Sequence, residues 1–122
     1  MPVLRPIPRR ILQSTATVEV CRAIDRYHNQ VFDTYTVSRV HLQPSNEQRK
    51  STTDTDFTLT GILFVDARIS RPALDWPALF KAATEAGGDV RVTVRGRTYV
   101  VRSVDELRDD TDILHHYEIG LV

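Results

Sequence analysis

The sequence has a single cysteine, Cys21, no long apolar run and no excess of charge of either sign. One cysteine excludes an intramolecular disulfide and a metal site built from four cysteines. No window approaches the roughly 18 apolar residues needed to span a membrane, and residues 1–13 lack the continuous apolar stretch of a signal peptide. We therefore expect a protein made and kept in a reducing, aqueous compartment, with no membrane partner.

The charge balance limits the partners of this chain. It has 16 basic and 16 acidic residues, and the formal net charge is zero. Proteins that clamp nucleic acid neutralise many phosphates with lysine and arginine, which gives them a strongly basic surface. The balance argues against such a clamp, although it allows transient contact with DNA.

Motifs for catalysis are missing as well. The chain contains no GxSxG, GxxxxGK[ST] or GxGxxG pattern, and Cys21 has no sequence neighbour that would activate a thiol. A buried, apolar cysteine is the simpler interpretation. The sequence predicts neither an enzyme nor a cofactor.

What is present is the composition of an ordinary globular protein. Of the 122 residues, 41% are hydrophobic and 26% are charged, and no internal repeat or low-complexity tract occurs. A chain of this length buries roughly two-thirds of its unfolded surface, which suffices for one core. We expect one domain over residues 1–122.

Alternating apolar residues predict strands along most of the chain. Ala16, Val18 and Val20 share one face of a first strand, and Val90, Val92 and Val94 alternate with polar residues. The segment at residues 22–33 has no clean apolar pattern; a short amphipathic helix is an alternative, and we interpret the segment as a loop. The predicted strands cover residues 15–21, 34–42, 55–66, 90–94 and 99–104, followed by a last strand that turns Ile113, His115, Tyr117, Ile119 and Leu121 to one face and Leu114, His116, Glu118 and Val122 to the other.

One helix is predicted, over residues 75–86. Asp75 suits the N-cap and Pro77 the first turn, Leu79 and Phe80 begin an apolar stripe, and Gly87 follows the last turn. The helix would either cap an open end of the fold or offer a face to a neighbour. Six strands with one short helix predict a mainly β fold, a small antiparallel β-barrel or sandwich.

Two polar segments have the reach for contacts outside the domain. Residues 43–54 form a polar connection of about a dozen residues, which is long for a small domain and typical of a functional or disordered loop. Residues 1–13 form an extended, proline-rich arm, which would be either a solvated tail or a segment docked on DNA or an acidic neighbour. The candidate residues are Ser45, Asn46, Glu47, Gln48, Arg49, Lys50 and Ser51 in the loop, and Arg5, Pro6, Ile7, Pro8, Arg9 and Arg10 in the arm.

Histidines and acidic residues near the end suggest two kinds of site. Neighbouring side chains on a strand point to opposite faces, so His115 and His116 are not expected to ligate one ion. The acidic group Asp109, Asp110 and Asp112 lacks calcium-loop spacing and is interpreted as a solvated loop. A hydrolase that uses either histidine with Asp112 would need a convergence that strand alternation disfavours.

Several segments, in order over nearly the whole chain, resemble the small minor capsid proteins of long-tailed bacteriophages. The most specific is the ending Leu114, His115, His116, Tyr117 and Glu118. The others are RPIPRRIL at residues 5–12, DRYHN at 25–29, GILFVD at 61–66, GDV at 88–90 and GRTYVV at 96–101.

Two features depart from the family pattern. Members usually carry tryptophan and glycine where this chain has Tyr27 and His28, and most have a shorter connection in place of the helix at residues 75–86.

The resemblance implies a component of the connector between head and tail, of the stopper or head-completion type. Such a protein would be made in the host bacterial cytoplasm and assemble as a ring of small β-barrels below the portal and its adaptor. It would contact the tail terminator protein, and a long loop would reach into the channel to help hold packaged DNA. Residues 43–54 match that loop, and we expect them to be mobile in the free protein and ordered in the ring.

A different class of function stays open from the sequence alone. A small monomeric β-barrel that binds a small molecule or a peptide would have a similar composition. It would show a well-formed apolar pocket and no assembly.

Overall fold

The computed structural model describes residues 12–50 and 56–122. Within these residues the chain forms eight strands and one helix. The elements in chain order are β1 (Ser14–Ile24), β2 (Gln30–Pro44), β3 (Gln48–Lys50), β4 (Asp56–Thr58), β5 (Gly61–Asp66), α1 (Trp76–Glu85), β6 (Val90–Val94), β7 (Arg97–Arg108) and β8 (Leu114–Leu121).

Six of these strands close into an antiparallel barrel. Going round it, the order is β1, β2, β5, β8, β7 and β6, which returns to β1. The predicted mainly β fold with one short helix is confirmed. β3 and β4 pair only with each other and form a separate two-stranded ribbon.

Inward side chains of all six strands fill the barrel. The predicted alternation is confirmed in β6, where Val90, Val92 and Val94 are each at most 1% exposed. Burial of such side chains removes apolar surface from water and is the main stabilising contribution to a barrel of this size. The inward residues include Ala16, Val18, Val20, Val37, Val40, Leu63, Val65, Val101, Tyr117, Ile119 and Leu121.

The interpretation of residues 22–33 as a loop is wrong. β1 continues to Ile24, β2 begins at Gln30, and a short turn between them is closed by the Asp25 carboxylate, which accepts from the backbone N–H of Tyr27 and of Asn29. A bulge leaves Arg22 without a partner in the β1–β2 ladder, because Cys21 pairs with Phe32 and Ala23 with Val31. The extra residue interrupts the alternation on which the prediction depended.

The strand predicted over residues 55–66 is also corrected. It is two strands, β4 and β5, separated at Leu59 and Thr60. Leu63 and Val65 face the barrel interior as expected, but Leu59 packs on the outer side of the barrel, against Gly120.

The strands at the end of the chain differ from the prediction at their limits. β7 extends to Arg108, beyond the predicted end of this strand at residue 104. Ile113 precedes β8 and is 52% exposed, so it is not one of the inward residues as we had expected.

The helix follows the prediction, and a tight turn joins β6 to β7. Asp75 caps α1 by accepting from the N–H of Ala78, and Gly87, at φ +87°, ends it while the N–H of Gly88 donates to the carbonyl of Ala83. Arg95 and Gly96 both have positive φ, as a two-residue turn between β6 and β7 requires.

The buried face of α1 belongs to the barrel. Trp76 and Ala83 are at most 1% exposed and join the core, and the helix lies against β1, β6 and β7. The helix therefore uses its apolar side for packing within the chain.

Candidate functional site

The first strand of the ribbon, β3, contains Gln48, Arg49 and Lys50 of the predicted channel loop, and β2 extends into the same segment as far as Pro44. Gln48 pairs with Thr58, Arg49 with Phe57 and Lys50 with Asp56, so part of the segment expected to be a loop is strand. Residues 51–55, including Ser51, lie outside the described residues. The correction has a simple cause: a polar segment satisfies its backbone groups by pairing with the segment that follows it, and this needs no apolar pattern.

Backbone hydrogen bonds hold the base of the ribbon. The N–H of Leu59 donates to the carbonyl of Glu47 over 2.9 Å, and the N–H of Ser45 donates to the carbonyl of Thr60 over 3.0 Å. The Ser45 hydroxyl accepts from the N–H of Glu47 at 3.1 Å. Ser45 and Glu47 thus act within the base of the ribbon, while Asn46, Glu47 and Gln48 are exposed.

Two side-chain contacts pack the ribbon against the outside of the barrel. Leu59 is fully buried against Gly120 of β8. The guanidinium of Arg102 lies 5.0 Å from the centre of the Phe57 ring. Arg102 is the extra residue of a bulge in β7, where Val101 pairs with Leu121 and Ser103 with Gly120. Sequence reasoning missed Arg102, because a bulge is a property of the pairing and leaves no pattern within one strand.

Of the predicted contact arm, residues 1–13, the structure describes only Leu12 and Gln13. Arg5, Pro6, Ile7, Pro8, Arg9 and Arg10 lie outside the described residues. Leu12, the first described residue, is fully buried. The chain therefore enters β1 from a position packed on the protein.

The motif Leu114, His115, His116, Tyr117 and Glu118 forms most of β8. Our expectation that His115 and His116 point to opposite faces is wrong, because their Nδ1 atoms lie 2.8 Å apart and share a hydrogen bond. Leu107 pairs with His116 and Arg108 with Leu114, so His115 is the extra residue of a second bulge. A bulge disrupts the alternation of side chains, which brings these two rings together.

The outer side of β8 continues this cluster. His116 Nε2 lies 3.0 Å from Glu118 Oε2. The Phe64 ring of β5 lies 6.0 Å from both the His116 ring and the His41 ring of β2. The result is a row of half-exposed rings on the barrel surface. Sequence reasoning placed His41 and His116 in separate segments and had no signal for the strand order that joins them.

The acidic residues near β8 have structural roles. The Asp109 carboxylate accepts from the hydroxyl and the N–H of Thr111 and from the N–H of Ile113, at 2.7 to 3.0 Å. These hydrogen bonds, the Thr111 hydroxyl first, hold the pKa of Asp109 below its ordinary value. Asp112 lies 3.9 Å from Arg108. Asp109 is buried, whereas its neighbours Asp110 and Asp112 are exposed. The prediction of a solvated loop therefore applies only to these two neighbours.

The printed contacts of the hydrolase candidates lead to other partners. Asp112 lies 3.9 Å from Arg108, and His116 Nε2 lies 3.0 Å from Glu118 Oε2. Within residues 12–50 and 56–122, no group of three histidine, cysteine, aspartate or glutamate residues is placed to hold a metal ion.

Two cavities lie outside the barrel, in the groove between α1 and β7. Their volumes are about 270 and 440 Å³, and both are lined by Phe80 and Thr84. The smaller adds Val100 and Arg102, and the larger adds Val104. The interior of the barrel is filled by core side chains instead.

A closed six-strand barrel with a two-stranded ribbon packed on its outer side defines a small β-barrel protein. The family model described as "Minor capsid protein" matches residues 8–121, and the chain belongs to this family of phage structural proteins, which places it in the virion. Comparison with curated proteins and with solved structures gave no match. The described part of the chain has one helix, α1, and it is too short to cross a membrane.

Proposed function

We propose that this chain is a head–tail joining component of a tailed phage, of the stopper or head-completion type. Copies would form a ring below the portal and its adaptor, above the tail terminator protein. Membership in the minor capsid family supports the virion role, and the ribbon supports the finer assignment. No catalysis is part of this proposal.

The ribbon is the observation on which the proposal depends. β3 and β4 take no place in the barrel order, and their base is fixed by the bonds of Leu59 and Ser45. Phe57, which packs on Arg102, holds one strand of this element against the barrel. A rigid barrel that carries an element outside its strand order in this way can set that element toward the axis of a ring. A ring of such copies would narrow the central channel with ribbons.

The charges of the ribbon indicate how DNA would be held. Residues 48–58 contain Arg49, Lys50, Asp54 and Asp56, two basic and two acidic side chains. Affinity for the DNA backbone grows with the number of phosphates neutralised, so a neutral segment would bind DNA weakly. We infer that the ribbons hold DNA by obstructing the channel, with transient contact only.

Electron microscopy of virions with and without this protein tests the joining role. Its loss should give filled or leaking heads that lack tails. Normal tailed particles in its absence would overturn the proposal.

A shortened ribbon separates a stopper from a passive adaptor. Replacing residues 48–58 by a short turn keeps Leu59 and the barrel strands, so the chain should fold and enter particles. A stopper with this change should leave tailless heads empty of DNA. If such heads keep their DNA, the chain is an adaptor and the retention role fails. Thr60→Ala, at an exposed residue beside the ribbon, is the control.

The alternative of a monomeric ligand-binding barrel finds little support. Valine, leucine and isoleucine side chains occupy the barrel interior where such a ligand would bind. The two cavities lie on the surface beside α1.

A further inference from the structure

One outer side of the barrel is a sheet of threonines. Thr17 of β1 pairs with Thr36 of β2 and with Thr93 of β6, and Thr93 pairs with Thr98 of β7. Four neighbouring strands therefore each place one threonine in a single row, and the Thr93 and Thr98 hydroxyls are 2.8 Å apart. The next row along the strands is Thr34, Glu19, Arg91 and Val100. We call these two rows the threonine wall.

The other outer side carries rings and acidic groups. His41 of β2 pairs with Phe64 of β5, Phe64 with Glu118 of β8, and Glu118 with Asp105 of β7. His116, one row further along, pairs with Leu107. We call the row His41, Phe64, Glu118 and Asp105, together with His116 and Leu107, the histidine wall.

The two walls lie opposite each other. The threonine wall is centred on β1 and β6, and the histidine wall on β8 and β5, which are three places away in the six-strand order. A ring needs heterologous contacts, in which one face of a subunit meets a different face of the next. In a ring of many copies the rotation between neighbours is small, so the two contact faces of each subunit point in nearly opposite directions. The two walls are placed in this way.

We propose that, in the ring of the proposed function, the threonine wall of one copy binds the histidine wall of the next copy. This inference rests on the proposed ring and adds the surfaces that form it.

The chemistry of the walls is complementary. Threonine is short and has few rotamers, so ordering it at an interface loses little conformational entropy. Both walls also carry charged groups: Arg91 and Glu19 are cross-strand neighbours on one, and Glu118 and Asp105 are cross-strand neighbours on the other, where His116 Nε2 lies 3.0 Å from Glu118 Oε2. Arg91 would face Glu118 of the next copy, and Glu19 would face its histidines.

The size of the walls explains why assembly would need the portal. Four strands span about 14 Å across, and the two rows are about 7 Å apart along the strands, at a strand spacing of about 4.8 Å and a rise of about 3.3 Å per residue. The area between these positions, about 100 Å², is well below the roughly 800 Å² per partner of a stable interface. Copies gathered on a portal have a high effective concentration, which compensates for a weak contact.

Cysteine cross-linking in assembled particles tests the contact. Thr17→Cys places a thiol on the threonine wall and His41→Cys places one on the histidine wall, while the native Cys21 is buried and serves as the background control. With a short bismaleimide, the double variant should give a ladder of dimers, trimers and larger products. Each single variant should give no ladder, because a heterologous contact never brings like walls together.

A charge exchange gives a second readout that a folding defect would not mimic. Glu118→Arg and Arg91→Glu alone should each lower the fraction of tailed particles roughly tenfold, since a like-charge contact across an interface disfavours association. The combined variant should restore most of it. Ala82→Arg, on the exposed side of α1, is the control for added bulk and charge.

The outcomes separate this inference from the proposed function. A ring visible by microscopy, without the cross-link ladder or with a double variant no better than the single ones, overturns the wall contact and leaves the joining role intact. Dimers from Thr17→Cys alone would also overturn it, because they indicate a two-fold contact. Particles that lack the protein yet carry tails overturn the proposed function itself.

Discussion

Leu59 packs on Gly120 at the point where the ribbon leaves the barrel. A Cβ atom at Gly120 would lie 3.0 Å from Leu59 Cδ2 and would collide with the Ser103 hydroxyl. The absence of a side chain on β8 is thus what allows the ribbon to sit against the outer surface of the barrel. Phe57 and Arg102 make a second contact on the same side.

The first prediction concerns this glycine. Gly120→Ala should lower the free energy of unfolding by about 1–3 kcal/mol, the usual cost of an overpacked site. Leu59→Ala should lower it by about 2–5 kcal/mol, and the double variant should lose less than the sum, because the smaller residue 59 relieves its part of the overlap while the collision with the Ser103 hydroxyl remains. Urea denaturation measures each value, with Thr60→Ala as a control that should change little. Strict additivity of the two changes would contradict the contact.

Sequence patterns gave the elements that obey simple periods. The valines of β6 alternate without interruption, and Asp75, Pro77 and Gly87 mark both ends of α1, so these parts were predicted well. Strands that contain a bulge were not predicted well. At Arg22, Arg102 and His115 the pairing skips a residue, and the pattern within one strand cannot show a skip that is defined by its neighbour.

The surfaces depended even more on strand order. Thr17, Thr36, Thr93 and Thr98 come from four strands that are distant in sequence, and only the closed barrel places them in one row. The motif at residues 114–118 could be found from the sequence, but the contact between His115 and His116 could not. The ribbon is intermediate: its segment was selected for length and polarity, and its pairing was missed.

A second prediction follows from the turn between β1 and β2. His28 has φ +65°, a left-handed conformation that costs most side chains roughly 1–2 kcal/mol. Glycine adopts this conformation freely. His28→Gly should be neutral or stabilise by up to about 1 kcal/mol, since the flexibility of glycine in the unfolded chain offsets part of the gain. His28→Val should destabilise.

Urea denaturation of the two variants ranks them against the parent protein. Tyr27→Gly, at the exposed neighbouring residue without positive φ, is the control and should not stabilise. A valine variant as stable as the parent would mean that the backbone at residue 28 relaxes to another conformation.

A third prediction concerns stability at alkaline pH. Burial, together with the nearby Asp75 and Glu106, raises the pKa of the Tyr117 phenol above its ordinary value. The unfolded chain therefore loses this proton at a lower pH than the folded protein does. The stability that this difference contributes is complete below the ordinary phenol pKa of about 10 and is lost as the pH rises through the folded pKa.

Tyr117→Phe removes this titration and should flatten the alkaline decline of the free energy of unfolding. The measurement is urea denaturation between neutral pH and the highest pH at which unfolding is reversible. Tyr27→Phe serves as the control, because Tyr27 is 68% exposed. An unchanged alkaline decline in Tyr117→Phe would show that another group causes it.

The last prediction concerns stability in acid. The hydroxyl of Thr111, the N–H of Ile113 and the N–H of Thr111 hold the pKa of Asp109 below that of a free aspartate. The folded state therefore binds this proton less readily than the unfolded chain. Its contribution to stability is complete above the unfolded pKa, near 4, and is lost as the pH falls through the lower folded value.

Two substitutions check this sign from opposite directions. Asp109→Asn should destabilise at neutral pH and lose part of the acid dependence, while Thr111→Ala, which removes the strongest of the three hydrogen bonds, should move the acid transition to higher pH. Asp110→Asn, at the exposed neighbour, should leave the curve parallel to that of the parent protein. Asp109 closes the loop that leads into β8. An acid transition of Thr111→Ala at the same pH as that of the parent protein would therefore mean that other contacts hold the start of β8.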